Sequence, residues 1–219
     1  MRFSRTIVAT TVATAALALM GAPAYADDVA VLTTGSLAGA NAAVGDVTVA
    51  SLSTGTTAFF ATASGGTSGV SCTVSSFSAT IVDNPVAPGT ATESTTAQTF
   101  GTCTANITGV TKVNSVTVNN APFATTVASD GTVTVSGTSA APIQTTLSLG
   151  TLLGSITCVY QATSITGVSS NTDNSITFTN QAFPKYSGSI LCPSSGYFTA
   201  SYAPVQDTTV TGSPSIFTN

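Results

Sequence analysis

Thr125-Thr126-Val127-Ala128-Ser129-Asp130-Gly131-Thr132-Val133-Thr134-Val135-Ser136 decides the fold class. β-Branched residues alternate with small polar ones on both flanks, so each flank has one face to bury and one to leave in water. Asp-Gly between them takes the positive φ values of a type I′ turn, and the stretch reads as a β-hairpin.

The same texture runs outward in both directions. Helix formers are scarce beyond residue 26, whereas Thr, Val, Ser and Gly are abundant. Short alternating runs between Gly, Pro and Asn read as strands over 29–33, 47–52, 57–62, 70–82, 116–119, 123–128, 132–136, 143–149, 155–162, 175–180 and 197–202. These make about eleven strands, the spacing of an all-β sandwich or barrel, and the expectation is a disulfide-stapled β-sandwich. Within 70–82, Cys72 and Val74 share one phase while Phe77, Ala79 and Ile81 share the other, which predicts a bulge or bend at Ser75-Ser76. Residues 83–96 contain Asn84-Pro85 and Ala87-Pro88-Gly89 and read as a loop.

Residues 1–26 read as a cleaved Sec signal peptide. Arg2 and Arg5 precede an apolar stretch from Ile7 to Met20, and Ala24-Tyr25-Ala26 is an A-x-A cleavage site. Residues 27–69 then form an N-terminal arm and first strands, separated from a β-sandwich core at 70–219 by the turn Gly65-Gly66-Thr67-Ser68-Gly69. The expected location is extracellular or the cell surface. Asn114-Ser115-Val116-Thr117-Val118-Asn119-Asn120-Ala121-Pro122-Phe123 resembles Asn174-Ser175-Ile176-Thr177-Phe178-Thr179-Asn180-Gln181-Ala182-Phe183, which raises a reading of two related β modules against one of coincidence in a Thr- and Asn-rich chain.

Cys72, Cys103, Cys158 and Cys192 are even in number and form no C-x-x-C pair. In an oxidising compartment they read as disulfides rather than zinc ligands. Three pairings are open. The expected pairing is Cys72–Cys103 and Cys158–Cys192, each bond closing a loop of about 30–35 residues worth about 3.5–4 kcal/mol by chain entropy.

Residues 27–219 hold no His, Arg or Trp and only two lysines, Lys112 and Lys185. Most mechanisms need a base that titrates near neutrality, and a Ser-His-Asp triad cannot be built here. Neither lysine has an S-x-x-K context, and the acids fall in presumed turns rather than as a glycosidase pair. The expectation is therefore no enzyme, no cofactor and no metal. Asn171-Thr172-Asp173-Asn174 resembles the start of a calcium loop but lacks its Gly and distal Glu, and reads as an Asx-rich turn. A Lys–Asn isopeptide bond from Lys112 or Lys185, with Glu93 or Asp83 as catalyst, is weighed against ordinary surface charge.

Two lysines against eight acids leave residues 27–219 weakly acidic. That charge is a poor match for nucleic acid or anionic lipid, so neither nucleic acid nor a membrane is an expected partner once the leader is removed. Tyrosines concentrate in the last third. In Tyr197-Phe198-Thr199-Ala200-Ser201-Tyr202 the alternation sends one set inward and one outward, leaving Tyr186 and Tyr197 as candidate glycan or protein contacts.

Thr157-Cys158-Val159-Tyr160, Asn180-Gln181-Ala182-Phe183 and Leu191-Cys192-Pro193-Ser194-Ser195-Gly196-Tyr197-Phe198-Thr199-Ala200-Ser201-Tyr202-Ala203-Pro204-Val205 resemble exported actinobacterial all-β proteins. The leader end, Gly21-Ala22-Pro23-Ala24-Tyr25-Ala26, is similar to Streptomyces leaders. The resemblance covers the last third and the leader; it implies an exported β protein and no activity. A second resemblance, to type 1 and spore-coat pilins, implies an arm at 27–46 that donates a strand to a second copy, a route to a homo-oligomer. The second disulfide, the longer chain and the missing near-terminal Tyr depart from it. Together these readings point to a secreted, non-enzymatic structural or interaction protein with a protein, cell-wall or glycan partner. The alternatives are a glycan-binding module and a protease inhibitor using 83–96 as its reactive segment.

Overall fold

The computed structural model describes residues 28–219; the leader expected at 1–26 lies outside them. Sixteen strands are formed: β1 (Leu32–Thr34), β2 (Ala40–Asn41), β3 (Val47–Ser51), β4 (Ala58–Ala61), β5 (Gly69–Asp83), β6 (Thr90–Ala105), β7 (Val110–Asn119), β8 (Phe123–Ala128), β9 (Thr132–Ser136), β10 (Ile143–Thr151), β11 (Gly154–Ala162), β12 (Ser164–Ser170), β13 (Ser175–Gly188), β14 (Ser195–Tyr202), β15 (Gln206–Asp207) and β16 (Ile216–Thr218).

The strands close on themselves. β4, β5, β6, β8, β9, β12, β13 and β14 each pair antiparallel with the next, and β14 returns to β4. The ring follows chain order, as in an up-and-down barrel. A sandwich needs two separate sheets; here the β12–β13 and β14–β4 ladders join the strands into one closed ring, so the expected sandwich is corrected to a closed barrel.

Several strands act as two-part staves. β7 pairs β10 as β8 pairs β9, and β11 pairs both β10 and β13 as β12 pairs β9 and β13. β3 and β4 likewise share the edge of β5. The ladder around the ring is complete in one half only: residues 96–105 of β6 make no ladder with β7. The fully paired end is capped by a small sheet, β16-β1-β2, which drops Leu32 and Ile216 onto the core. We call it the capped end. The opposite end carries both disulfides, Cys72–Cys103 between β5 and β6 and Cys158–Cys192 between β11 and the β13–β14 loop. Both pairings are those expected from the sequence.

Residues 47–61 complete the ring between β5 and β14, and β1 pairs with the chain's own β16. The two similar decapeptides lie in one barrel, the first over β7 and the start of β8, the second on β13. Asn120 (φ 72°) and Asn180 (φ 53°) hold the same position in each, three residues before the buried Phe123 and Phe183. The similarity thus marks two matching bends in one barrel, not two separately closed modules.

Local details differ from the sequence reading. The β8–β9 hairpin forms, but only Gly131 has positive φ and its N–H donates to Ala128 O, so the loop is the three-residue type I form with a bulge. The phase change in β5 falls at Thr73-Val74 rather than Ser75-Ser76. Val74 is exposed while Ser75 is buried, and Thr102 opposite turns with it at φ 49°. The expected loop at 83–96 is strand from Thr90 onward. β6 and β12 escaped the sequence reading because β6 faces inward with Ala91, Glu93 and Thr95 rather than large aliphatics, and β12 carries Gly167 at its centre.

Candidate functional site

Two features stand out: the lumen and the disulfide end. Seven of the chain's ten phenylalanines line the lumen, which makes its wall aromatic. Phe60 packs against Phe100 and Phe198 with ring centroids 5.1 and 5.0 Å away. A cavity of about 70 Å³ remains between these rings. Eight-stranded barrels have an interior that side chains just fill or that one small ligand occupies. Gln98 and Phe100 of β6 and Val118 of β7 belong to the wall, so the cavity borders the unpaired β6–β7 seam.

Several polar groups on this wall bond to polar neighbours inside the barrel. Gln98 Nε2 donates to Ser75 Oγ (2.8 Å) and to Tyr202 Oη (2.9 Å), and Ser75 Oγ lies 2.9 Å from Tyr202 Oη. Burial pushes the Tyr202 hydroxyl up to about 12, so it stays neutral. Thr95 and Thr125 pair at 2.6 Å. Glu93 is buried, accepts one bond from Thr48 Oγ1 at 3.0 Å, and lines both the lumen and a smaller cavity beneath the cap. Burial raises its carboxyl above the ordinary value, and the Thr48 bond opposes that shift. Asp207 is fully buried near the cap; its Oδ1 accepts from Thr209 N, and its Oδ2 has no partner among the described residues.

At the disulfide end two neighbouring loops carry exposed aliphatics. Leu152 and Leu153 form the β10–β11 tip at 88% and 92% exposure, and Ile190 and Leu191 sit in the β13–β14 loop at 95% and 59%. β11 pairs with β13 at Cys158↔Gly188 and Ser189 N donates to Thr157 O, so the second loop leaves the barrel beside β11, and the Leu152-Leu153 tip stands further out along that same strand. The second loop is anchored by Cys158–Cys192 and by hydrogen bonds from Tyr160 Oη to Pro193 O (3.1 Å), Lys185 Nζ to Cys192 O (3.2 Å), Lys185 N to Ser194 O (3.0 Å) and Ser189 N to Thr157 O (3.1 Å).

Charge is sorted along the barrel axis. Asp28, Asp46, Asp83, Glu93, Asp130, Asp173 and Asp207 all lie at the capped end or in the half of the barrel beneath it. Lys112, near the start of β7, and Lys185, near the end of β13, lie in the disulfide half. Glu93 and Asp83 therefore stand in the opposite half from both lysines, out of reach for an isopeptide reaction. Among the described residues no cluster of three potential metal ligands occurs. Asn171 and Asn174 instead clamp the C-terminal strand: Asn171 bonds both N and O of Thr218, and Asn174 Nδ2 donates to Ile216 O.

Tyr197 and Tyr186 both lie on the outer face, but their strand positions differ. Tyr197 pairs opposite Ala182, four residues before Tyr186, or about 13 Å of strand. They do not make one stacking platform. The inward set, Phe198, Ala200 and Tyr202, is buried. The apolar loop tips were missed by the sequence reading, although Leu152-Leu153 and Ile190-Leu191 each break the alternating pattern between strand segments.

Comparison with protein-family models, curated proteins and solved structures gives no match.

Proposed function

We propose that this chain is an exported, non-enzymatic interaction protein of the cell envelope or of an extracellular complex, engaging its partner through the disulfide end. The exposure of Leu152, Leu153, Ile190 and Leu191 on two adjoining loops carries the reading. Grouped apolar side chains left in water mark interaction surfaces. The anchoring of the second loop by a disulfide and several hydrogen bonds means that the exposure is built into the fold. Two disulfides suit an oxidising, extracellular setting, and the Sec leader read at 1–26 supplies the route.

The test is fractionation of the producing culture, with assembly mass measured under non-reducing conditions. The wild type should partition with the envelope or in a large complex, and a variant with all four aliphatics changed to Ser should move to the supernatant as a monomer. Identical partition of the two proteins would end the reading.

A second reading, carriage of a small apolar molecule in the lumen, is favoured by the Glu93 carboxyl on an aromatic wall. Native mass spectrometry of the protein from culture should then show a bound small molecule that Glu93→Gln loses. A ligand-free spectrum for the wild type would remove it.

A further inference from the structure

We propose that the disulfide end docks on a lipid membrane carrying anionic headgroups, with the Leu152-Leu153 and Ile190-Leu191 tips entering the interface. The inference rests on the reading of this end as the interaction face and names its partner.

Three observations favour lipid. The first is shape. Leu152, Leu153 and Ile190 are 88–95% exposed, so they project rather than form a recessed surface. A protein partner needs a matching relief, whereas a bilayer interface accepts any protruding apolar tip, and burial in it scales with apolar area.

The second is charge. Net charge averages over the molecule, but the fold sorts it. Both lysines lie in the half of the barrel bearing the tips, and every described acid lies in the other. The fifteen residues of β5 span about 50 Å of strand, or roughly 35–40 Å along the axis at a usual barrel tilt. That is several times the Debye length of about 8 Å at physiological ionic strength. The acids at the capped end are thus screened from a surface touching the disulfide end, and the lysines are not.

The third is how the tips are held. Lys185 Nζ donates to Cys192 O in the loop bearing Ile190 and Leu191, and the Lys112 side chain lies across Gly150, two residues before Leu152. Each cation is therefore fixed close behind an apolar tip, the order in which an interface presents hydrocarbon and then headgroups. The remaining loops at this end, 62–68 and 106–109, are small and polar apart from Ile107. The docked barrel would meet the membrane along one side of its rim.

The full secreted chain is mixed with vesicles of phosphatidylcholine, with or without phosphatidylglycerol, and sedimented. The wild type should pellet with the anionic vesicles. L152S/L153S and I190S/L191S should each weaken binding by about tenfold or more. Lys112→Gln should weaken it about fivefold at low salt, following the worth of one basic residue at an anionic surface. All these positions face solvent at least in part, and an unchanged thermal midpoint verifies folding. Wild-type protein left in the supernatant with both vesicle types overturns the proposal, as does binding indifferent to the loop variants. If vesicles are not bound but the loop variants abolish a concentration-dependent self-association, the end is a protein interface: lipid docking fails and the interaction reading stands. If envelope partition is also indifferent to the variants, both fail.

Discussion

Thr48 Oγ1 donates a 3.0 Å hydrogen bond to Glu93 Oε1 inside the barrel, and this is the carboxyl's only side-chain partner among the described residues. Desolvation exceeds what that bond returns, so the folded state holds the Glu93 proton more tightly than the unfolded chain does. The stability linked to this group is full below the ordinary value of 4.5 and is lost as pH rises through the folded-state value. Glu93→Gln should remove that decline and raise stability near neutral pH by about 1–2 kcal/mol. Urea unfolding of both proteins across the acidic-to-neutral range checks it. A difference between them that does not grow with pH would count against the assignment.

Gly167 lies against the Phe178 ring. A Cβ there would stand 2.9 Å from two ring carbons and 2.9 Å from Thr177 O, so the residue is fixed by its neighbours. Gly167→Ala should cost about 1–3 kcal/mol through overpacking. Combining it with Phe178→Leu, which vacates ring volume, should recover part of that loss relative to additivity. Strictly additive effects in denaturant unfolding would show that the clash is relieved elsewhere.

Asn180 has φ 53° and ties β13 to the β4–β5 loop, with Nδ2 donating to Ser64 Oγ at 2.7 Å and Oδ1 accepting from Gly65 N at 3.0 Å. Asn180→Ala loses both bonds and strains the backbone; Asn180→Gly loses only the bonds. The Ala variant should be less stable than the Gly variant by about 1 kcal/mol, the usual left-handed penalty. Thermal unfolding of the pair measures this difference directly, and equal midpoints would mean that the bend relaxes.

Period-two alternation made the all-β class legible in the sequence, and it placed the hairpin around Asp130-Gly131 and the inward Phe198-Ala200-Tyr202 face. Closure was not legible, because it depends on β12 meeting β13 and β14 meeting β4, contacts between strands whose own sequences look the same in a sandwich. β6 was hidden for a local reason: its inward positions include Glu93 and Thr95, which read as loop when the partner Thr48 is unknown. The candidate docking end was half visible. Leu152-Leu153 and Ile190-Leu191 stand out as aliphatic pairs in turns, but only the β11–β13 ladder brings both to the same end of the barrel along β11. The separation of lysines from acids was invisible, since an even scatter along the chain becomes a gradient only when alternate turns stack at opposite ends.

The two disulfides should separate stability from docking. Each closes a similar stretch, with sequence separations of 31 and 34, so removing either pair with Ser should cost a similar 2–4 kcal/mol by loss of chain-entropy restraint. Their positions differ. Cys72–Cys103 joins two strands already paired in the ladder, whereas Cys158–Cys192 fastens the loop that carries Ile190 and Leu191. With that bond gone, Tyr160, Lys185 and Ser189 alone hold the loop, and its ordering must be supplied when the tip binds. C158S/C192S should therefore lower capture on anionic vesicles several-fold, at a temperature where both variants are folded, while C72S/C103S should match the wild type. Equal capture by the two variants would mean that the tip does not need its anchor, and a loss confined to C72S/C103S would point to docking through a different part of the rim.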